Sequence, residues 1–214
     1  MEDEESMDLN YFVSSFIAIF IIVDPIANVP MFASLLSNFK PEHRKGIIRK
    51  AVMIATTVLI LFTVLGASLL RYLGVEIYSF NIAGGILLFL IALEMLFGRH
   101  TATRSSVEEE DEAKKREDIA ATPLAVPMLS GPGAITAGIV LFNSAPSIVD
   151  QVALLLVIGL VFLVAYAILS KSEKINDTLG EIGTKVITRI MGLILAAIAV
   201  QFVVNGVREA ISIG

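Results

Sequence analysis

The chain has no cysteine, no tryptophan and only two histidines among its 214 residues. Without cysteine it can form neither a disulfide framework nor a thiolate metal site. The two imidazoles, His43 and His100, lie at the ends of different apolar stretches, and the sequence shows no cluster of metal ligands. We therefore expect no resident metal and no organic cofactor.

Charged residues are also scarce: they make up 17% of the chain, against 56% hydrophobic residues and a mean hydropathy of +0.81. A soluble domain has about 25% charged and roughly 45–50% apolar residues. This composition indicates a protein embedded in a lipid bilayer, and it gives no reason to expect a nucleic-acid partner. It leaves the oligomeric state open, with a homo-oligomer as one option.

Long apolar windows recur six times, and each is close to the roughly 20 residues that a helix needs to cross the hydrocarbon layer. The acidic N-terminus MEDEESMD lacks the basic start of a secretory signal peptide, so we expect the first window to be retained. The sequence thus predicts an all-α, polytopic membrane protein whose six transmembrane helices form one domain, residues 1–214. The windows are residues 9–39, 51–70, 77–93, 119–149, 151–170 and 190–207.

Basic residues fall mostly in three connections, which follow the first, third and fifth windows. Residues 40–50, 99–116 and 171–189 contain 14 of the 16 lysines and arginines, and only Arg71 and Arg208 lie elsewhere. Positively charged loops tend to stay on the cytoplasmic side of a membrane. We therefore expect a multi-pass protein of the cell membrane with both termini outside.

Residues 99–118 form the longest polar stretch and contain the sequence EEEDEAKKRED. Mixed charge without an apolar period is typical of a solvated segment. It predicts a cytoplasmic linker between a first half, residues 9–98, and a second half, residues 119–214. A regulatory docking site is the alternative interpretation.

Prolines recur at one offset in the first window of each half. Pro25 and Pro30 correspond to Pro127 and Pro132, in each case 102 positions later. A proline inside a helix costs about 3 kcal/mol, because it removes a hydrogen-bond donor and clashes with the preceding turn. We therefore predict that transmembrane helices 1 and 4 are discontinuous, each with an unwound break.

The third windows repeat as well, since Gly85 and Glu94 correspond to Gly192 and Gln201 at an offset of 107. Each half has three helices, an odd number, so the second half enters the membrane from the opposite side. Inverted repeats with interrupted first helices are a recurring plan of secondary transporters, whose substrate site lies between the halves at the bilayer midplane. A gene duplication with no mechanistic content is the alternative.

The two breaks together offer ligands for a small zwitterion. Unwound backbone must be satisfied within the protein, so the breaks should face each other inside the bundle. Backbone amides at a helix start suit a carboxylate, and side-chain oxygens suit an ammonium group. The small residues around the breaks leave little room for a large substrate side chain. The candidate substrate-binding residues on these grounds are Asp24, Asn28, Ser130, Gly131, Gly133 and Ala134.

Asp24 is the one acidic residue in the middle of a window, where an ionised carboxylate costs about 2.5–3.5 kcal/mol. We expect it to bind a proton or the substrate ammonium group. The alternatives are a sodium ligand and a helix cap without a transport role, since Asp24–Pro25 and Gly131–Pro132 each suit the start of a half-helix. Glu94 is the weaker candidate for proton coupling, because it lies close to the basic residues that follow its window.

The motifs DPIANVPMF and TPLAVPMLSGPGAI resemble those of the MarC family of six-span membrane proteins, and within it the small neutral amino acid transporters of thermophilic archaea. The resemblance covers essentially the whole chain. Ala27 and Met128 depart from the family pattern of glycine and leucine, which bears on substrate size. The resemblance implies proton-driven transport of glycine, alanine and similar amino acids. It places at motif positions the residues Asp24, Asn28, Pro30, Ser130, Gly131 and Gly133.

Residues and resemblance together predict a secondary active transporter of small neutral amino acids, proton-coupled and working by alternating access. A passive channel, an exporter of small polar solutes and a sodium-coupled carrier are the alternatives. An enzyme is not expected. Aspartate proteolysis needs two acids in one site and a zinc protease needs an H-E-x-x-H helix, and the sequence has neither in its apolar windows.

Overall fold

The structure, a computed structural model, describes residues 7–37, 39–98 and 119–213. Within these residues the regular secondary structure is entirely helical. The predicted linker, residues 99–118, lies outside the described part of the chain. The helices in chain order are α1 (Leu9–Val23), α2 (Val29–Leu36), α3 (Pro41–Tyr72), α4 (Ile77–Phe97), α5 (Ala120–Leu129), α6 (Pro132–Asn143), α7 (Ile148–Leu169) and α8 (Ser172–Ile213).

Four stretches are long and apolar enough to cross a membrane: α3, α4, α7 and the Ile182–Ser212 part of α8. The pair α5 and α6, bent by 55°, would provide a fifth. Helix α1 is apolar but has only 15 residues, which makes it about 22 Å long, against a hydrocarbon layer of about 30 Å. The chain is therefore an all-helical, multi-pass membrane protein with four to five candidate spans among the described residues.

The start of α8 differs from the sequence expectation. Residues 171–189, expected to form a polar connection, are helical from Ser172 onward. One interruption occurs at Gly180, whose φ of 62° and ψ of −179° are readily adopted only by glycine. Hydropathy indicates whether a segment can enter lipid, but it does not indicate whether the segment is helical. A polar helical segment outside the membrane therefore cannot be predicted from hydropathy.

The helices pack in a pattern of pairs around one apolar core. Helices α4 and α8 lie against each other as the most extensive pair among the described elements. Helix α1 packs against α6 and α7, α5 packs against α3, α2 packs against α8, and α6 packs against α4. Fully buried side chains such as Phe32 of α2, Leu124 of α5 and Phe162 of α7 join these pairs into one core.

One end of the bundle carries five of the eleven lysines and arginines of the described chain, and we call its residues 39–48 and 170–174 the basic end. There the Arg44 guanidinium pairs with the Glu173 carboxylate, and its Nε donates to the carbonyl oxygen of Phe39 over 2.7 Å. The start of α3 and the start of α8 are therefore neighbours. Residues from two of the three basic connections thus meet at one end of the bundle.

The opposite end joins the N-terminal residues to the α6–α7 connection. The backbone amide of Asp8 donates to Oδ1 of Asp150 over 2.9 Å. The Tyr11 hydroxyl donates to the carbonyl oxygen of Leu141 over 2.7 Å. These bonds hold the start of α1 against the end of α6 and the start of α7.

Candidate functional site

The first break lies between α1 and α2. Helix α1 ends at Val23, and Asp24 follows it in the left-handed region, with φ 46° and ψ 62°. The interpretation of Asp24 as the N-cap of a half-helix is therefore wrong, since it caps the C-terminus of α1. The reason is Pro25, because a residue before proline is disfavoured in the right-handed helical region and the helix ends there. Helix α2 begins later, with Pro30 in its first turn.

Two buried polar side chains hold the first break together. Asp24 is 1% exposed and Asn28 is 4% exposed. Oδ1 of Asp24 accepts a hydrogen bond from the amide of Ala27 over 3.2 Å. Nδ2 of Asn28 donates to the carbonyl oxygens of Val23 and Asp24, both over 3.1 Å. The last carbonyl groups of a helix have no amide partner within the helix. At the end of α1, the Asn28 side chain supplies this partner.

The second break lies between α5 and α6. Helix α5 has wide turns with amide-to-carbonyl bonds spanning five residues, and Thr122 and Val126 within it have extended backbone. The Ser130 hydroxyl, fully buried, donates to the carbonyl oxygen of Ala125 over 3.1 Å. Helix α6 begins at Pro132 with Gly131 as its N-cap residue. The prediction of a half-helix that starts at Gly131–Pro132 is therefore confirmed.

The first turn of α6 is closely surrounded. A Cβ atom on Gly131 would lie 2.4 Å from the carbonyl oxygen of Pro127. A Cβ atom on Gly133 would lie 3.0 Å from methyl groups of Leu88 and Ile91 on α4. Ala134 is buried as well. Gly131 is thus required by space, whereas a methyl group at Gly133 would fit only if its neighbours shifted. The amide groups that begin α6 lie close to neighbouring backbone and side chains.

The two breaks approach each other through the end of α1. Cγ2 of Ile22, two residues before Asp24, lies 3.8 Å from the position of a Cβ on Gly133. The end of α1 and the first turn of α6 are therefore in contact.

The four prolines predicted to break the helices differ in burial: Pro25 is buried, Pro30 and Pro127 are half-buried, and Pro132 is exposed.

Glu94 and Gln201, paired by the repeat, have different surroundings. Glu94 is half-buried in the last turn of α4, where its carbonyl oxygen accepts the amide of the capping residue Gly98. Gln201 is exposed on α8, and its Nε2 donates to Oδ1 of Asn205 over 2.7 Å. Glu94 thus lies at a helix end, as its position in the sequence suggests.

Asp150 is a buried acid that sequence reasoning missed. It is 1% exposed, and Oδ1 accepts the amide of Asp8 while Oδ2 accepts the Ser147 hydroxyl over 2.7 Å. Asp150 was missed because it separates two charge-free windows, residues 119–149 and 151–170, and in the sequence it marks only their boundary. The signal that could have found it is the spacing Ser147-x-x-Asp150, which is typical of a helix start with reciprocal capping bonds.

Known proteins of similar sequence match this chain over nearly its whole length. It is 40% identical to a UPF0056 membrane protein of Methanocaldococcus jannaschii over 96% of this chain and 100% of that protein. It is 40% identical to one of Archaeoglobus fulgidus, with 94% of each chain covered, and 33% identical to YvbG of Bacillus subtilis, with 94% and 96% covered. No solved structure matches. Residues 9–211 match the description of the MarC family integral membrane proteins, and the chain therefore belongs to that family.

Proposed function

We propose that the protein is a proton-coupled secondary transporter of small neutral amino acids such as glycine, alanine and serine, rather than an enzyme. The observation that carries this proposal is the pair of helix breaks inside the bundle. Buried Asp24 and Asn28 lie at one break, and α6 begins at the other, beside the end of α1. Interrupted helices that meet in the interior are the plan on which carriers build midplane substrate sites.

The chemistry of the two breaks suits a zwitterion. The substrate carboxylate binds at the start of α6, to amide groups of Gly131, Gly133 and Ala134, where the helix dipole favours negative charge. The substrate ammonium group binds to the Asp24 carboxylate and to the side-chain oxygens of Asn28 and Ser130, which are all buried. Both ends of a free amino acid therefore find a partner of opposite charge.

Space at the second break supports a small substrate. Gly131 has the Pro127 carbonyl oxygen 2.4 Å from its missing Cβ, and Gly133 has methyl groups of Leu88 and Ile91 at 3.0 Å. A substrate that reaches the amides between these groups has little room for a side chain beyond a methyl or hydroxymethyl group. The resemblance to small neutral amino acid transporters points to the same substrates.

Six membrane crossings are part of the proposal, with α1 and α2 together forming the first. Asp8, before α1, bonds to Asp150 at the start of α7. Leu36, at the end of α2, and Ser170, after α7, line one cavity at the basic end. The α1–α2 pair therefore extends between the same two ends of the bundle as α7, whose 22 residues are long and apolar enough to cross a membrane.

Matched contacts between α4 and α8 support an inverted repeat. Gly85 of α4 lies against Ala199 of α8, and Gly192 of α8 lies against Ala92 of α4. The glycines are 107 positions apart, and so are the alanines. One contact therefore becomes the other when the two halves are exchanged, which is the behaviour expected of two repeats related by a twofold axis.

Helix neighbours follow the same exchange. Helix α1 packs against α7, and its counterpart α5 packs against α3. Helix α2 packs against α8, and its counterpart α6 packs against α4. With the basic end in the cytoplasm, as the positive-inside rule requires, both termini face outward from the cell membrane.

In transport, the two halves rock about the paired breaks and expose the site alternately to each side. Asn28 and Ser130 bond to backbone carbonyl oxygens in the present conformation. Their side-chain oxygens remain available as acceptors, since an amide oxygen and a hydroxyl both accept while their hydrogen atoms donate. Protonation of Asp24 accompanies one of the two orientations and couples the cycle to the proton gradient.

The experiment that tests this function is uptake of labelled glycine and alanine into proteoliposomes. An inward proton gradient should stimulate saturable uptake of chemically unchanged substrate, and labelled leucine should enter poorly. Uptake that rises linearly with concentration would indicate a channel, and uptake that follows a sodium gradient would indicate sodium coupling. Uptake equal to that of empty liposomes, for both substrates and with either gradient, would contradict the proposal.

A further inference from the structure

A second candidate site lies at the basic end, away from the helix breaks. A cavity of about 300 Å³ opens between the end of α2, the first two turns of α3 and the α7–α8 connection. Buried Leu36 and Ile48 contribute apolar wall. The cavity is therefore enclosed by three separate elements and is not a surface patch on one helix.

Four basic side chains line this cavity, against a single acidic one. Arg44 pairs with Glu173, the acidic lining residue. The remaining cations are Lys45, Lys171 and Lys174, which are exposed and form no ion pair with any residue in 7–37, 39–98 or 119–213. The net charge of the lining residues is therefore strongly positive, and a bound anion would balance it.

Hydroxyl groups in the wall add hydrogen-bond donors. Ser172 lines the cavity, and its residue is 4% exposed. Oγ of Ser170 is buried and has no hydrogen-bond partner within residues 7–37, 39–98 and 119–213. A buried hydroxyl without a partner is costly, and a native structure usually supplies one through water, an ion or a ligand. One such hydroxyl, together with the Ser172 hydroxyl in the wall of the same basic cavity, favours a ligand with several acceptor oxygens.

The start of α8 strengthens the same preference. Helix α8 begins at Ser172, so the amide groups of its first turn lack helical partners and carry the positive end of the helix dipole. Amides, hydroxyls and lysine ammonium groups together form the donor set that proteins use for phosphate. Basic pockets between membrane helices on the cytoplasmic side commonly bind lipid headgroups with this chemistry.

We propose that this cavity binds a phosphate group, carried either by an anionic lipid or by a soluble phosphate compound on the side of the membrane that the basic end faces. The bound group bridges Lys45 at the start of α3 and Lys171 at the start of α8. It therefore stabilises the contact between these two elements. This proposal is independent of the transported substrate, because none of its residues belongs to the helix breaks.

The test is thermal unfolding of the purified full-length protein in a zwitterionic detergent. Phosphatidylglycerol, phosphatidylcholine and inorganic phosphate are titrated separately against wild type and the double variant Lys45→Gln/Lys171→Gln. The control is Arg49→Gln/Arg189→Gln, which removes two exposed basic residues that do not line the cavity. Ser172→Ala removes a donor without changing the charge.

We expect phosphatidylglycerol to raise the unfolding midpoint of wild type saturably, with phosphatidylcholine inactive. The lysine variant should need about 10- to 30-fold more lipid, on the order of fivefold for each charge, and the control should stay close to wild type. Ser172→Ala should weaken the response as well. Saturable stabilisation by inorganic phosphate would assign the site to a soluble phosphate compound, and its absence would assign the site to a lipid headgroup. An equal loss in the lysine variant and the control, or no stabilisation of wild type by either anion, would overturn the proposal.

Discussion

The carbonyl oxygen of Ala199 lies 2.7 Å from the position that a Cβ atom on Gly85 would take. The backbone of α4 therefore touches the backbone of α8, a contact that small residues permit in helix pairs within membranes. Because the obstructing atom belongs to backbone, it cannot turn aside as a side chain can. Gly85 thus sets how closely α4 and α8 can pack.

Gly85→Ala should separate α4 from α8 and destabilise the protein by about 1–3 kcal/mol, the usual cost of overpacking. Thermal unfolding in detergent measures this as a lower midpoint. Gly159→Ala on α7 is the matched control, because nothing lies within 4 Å of its added Cβ. An unchanged midpoint for Gly85→Ala would mean that the two helices are farther apart than described.

Asp24→Asn should abolish proton-stimulated uptake while leaving the protein folded. Asparagine has the same shape, tolerates the left-handed backbone of residue 24, and keeps an oxygen for the amide of Ala27. It cannot ionise, so coupling is lost. Asp177→Asn, an exposed aspartate on α8, is the control and should transport normally. Full gradient stimulation of Asp24→Asn would leave Asp24 as a helix cap without a role in coupling.

Gly131→Ala should be more damaging than Gly133→Ala, although the two residues belong to one motif. The Cβ of Gly131→Ala would meet the backbone carbonyl oxygen of Pro127 at 2.4 Å. The Cβ of Gly133→Ala would meet only the ends of Leu88 and Ile91, at 3.0 Å, and these side chains can shift. We expect a loss of about 1–3 kcal/mol for Gly131→Ala and less than half of that for Gly133→Ala, measured by thermal unfolding. The reverse order would contradict the described geometry of the second break.

Arg44→Gln should destabilise the basic end more than Glu173→Gln does. Loss of Glu173 removes one ion pair with an exposed partner, which is typically worth about 0–1 kcal/mol. Loss of Arg44 also removes donors to the carbonyl oxygens of Ser37 and Phe39. Thermal unfolding of both variants at low and high salt provides the comparison, and only the contribution of the ion pair should fall with salt. Equal effects of the two substitutions would show that the backbone bonds contribute little.

The helix breaks could be predicted because proline acts locally. Helix α1 ends at Val23, two residues before Pro25, and α6 begins at Pro132. Both boundaries follow from the backbone chemistry of proline, which the sequence shows directly. The assignment of Asp24 to the following helix failed for a related reason. An aspartate beside a proline suits either side of a break, and here the left-handed backbone of Asp24 makes it the cap of the preceding helix.

Other features were missed because they depend on tertiary contacts or on the local folding of a break. The two carboxylate oxygens of buried Asp150 accept hydrogen bonds from Asp8 and Ser147. No local sequence pattern predicts the contact with Asp8. The bonds of Asn28 to α1 likewise depend on how the break is folded. Hydropathy found the apolar stretches, but it could not show that the polar residues after Lys171 continue as helix.

The bond between Asp8 and Asp150 joins residues 142 positions apart, and Tyr11 reaches Leu141 across 130 positions. Helix α1 is synthesised well before its partners α6 and α7, which follow it in the second half of the sequence. Helix α1 therefore remains without these partners while the helices between them are made. Translation of α7 is the earliest moment at which the nascent bundle can close around its first broken helix.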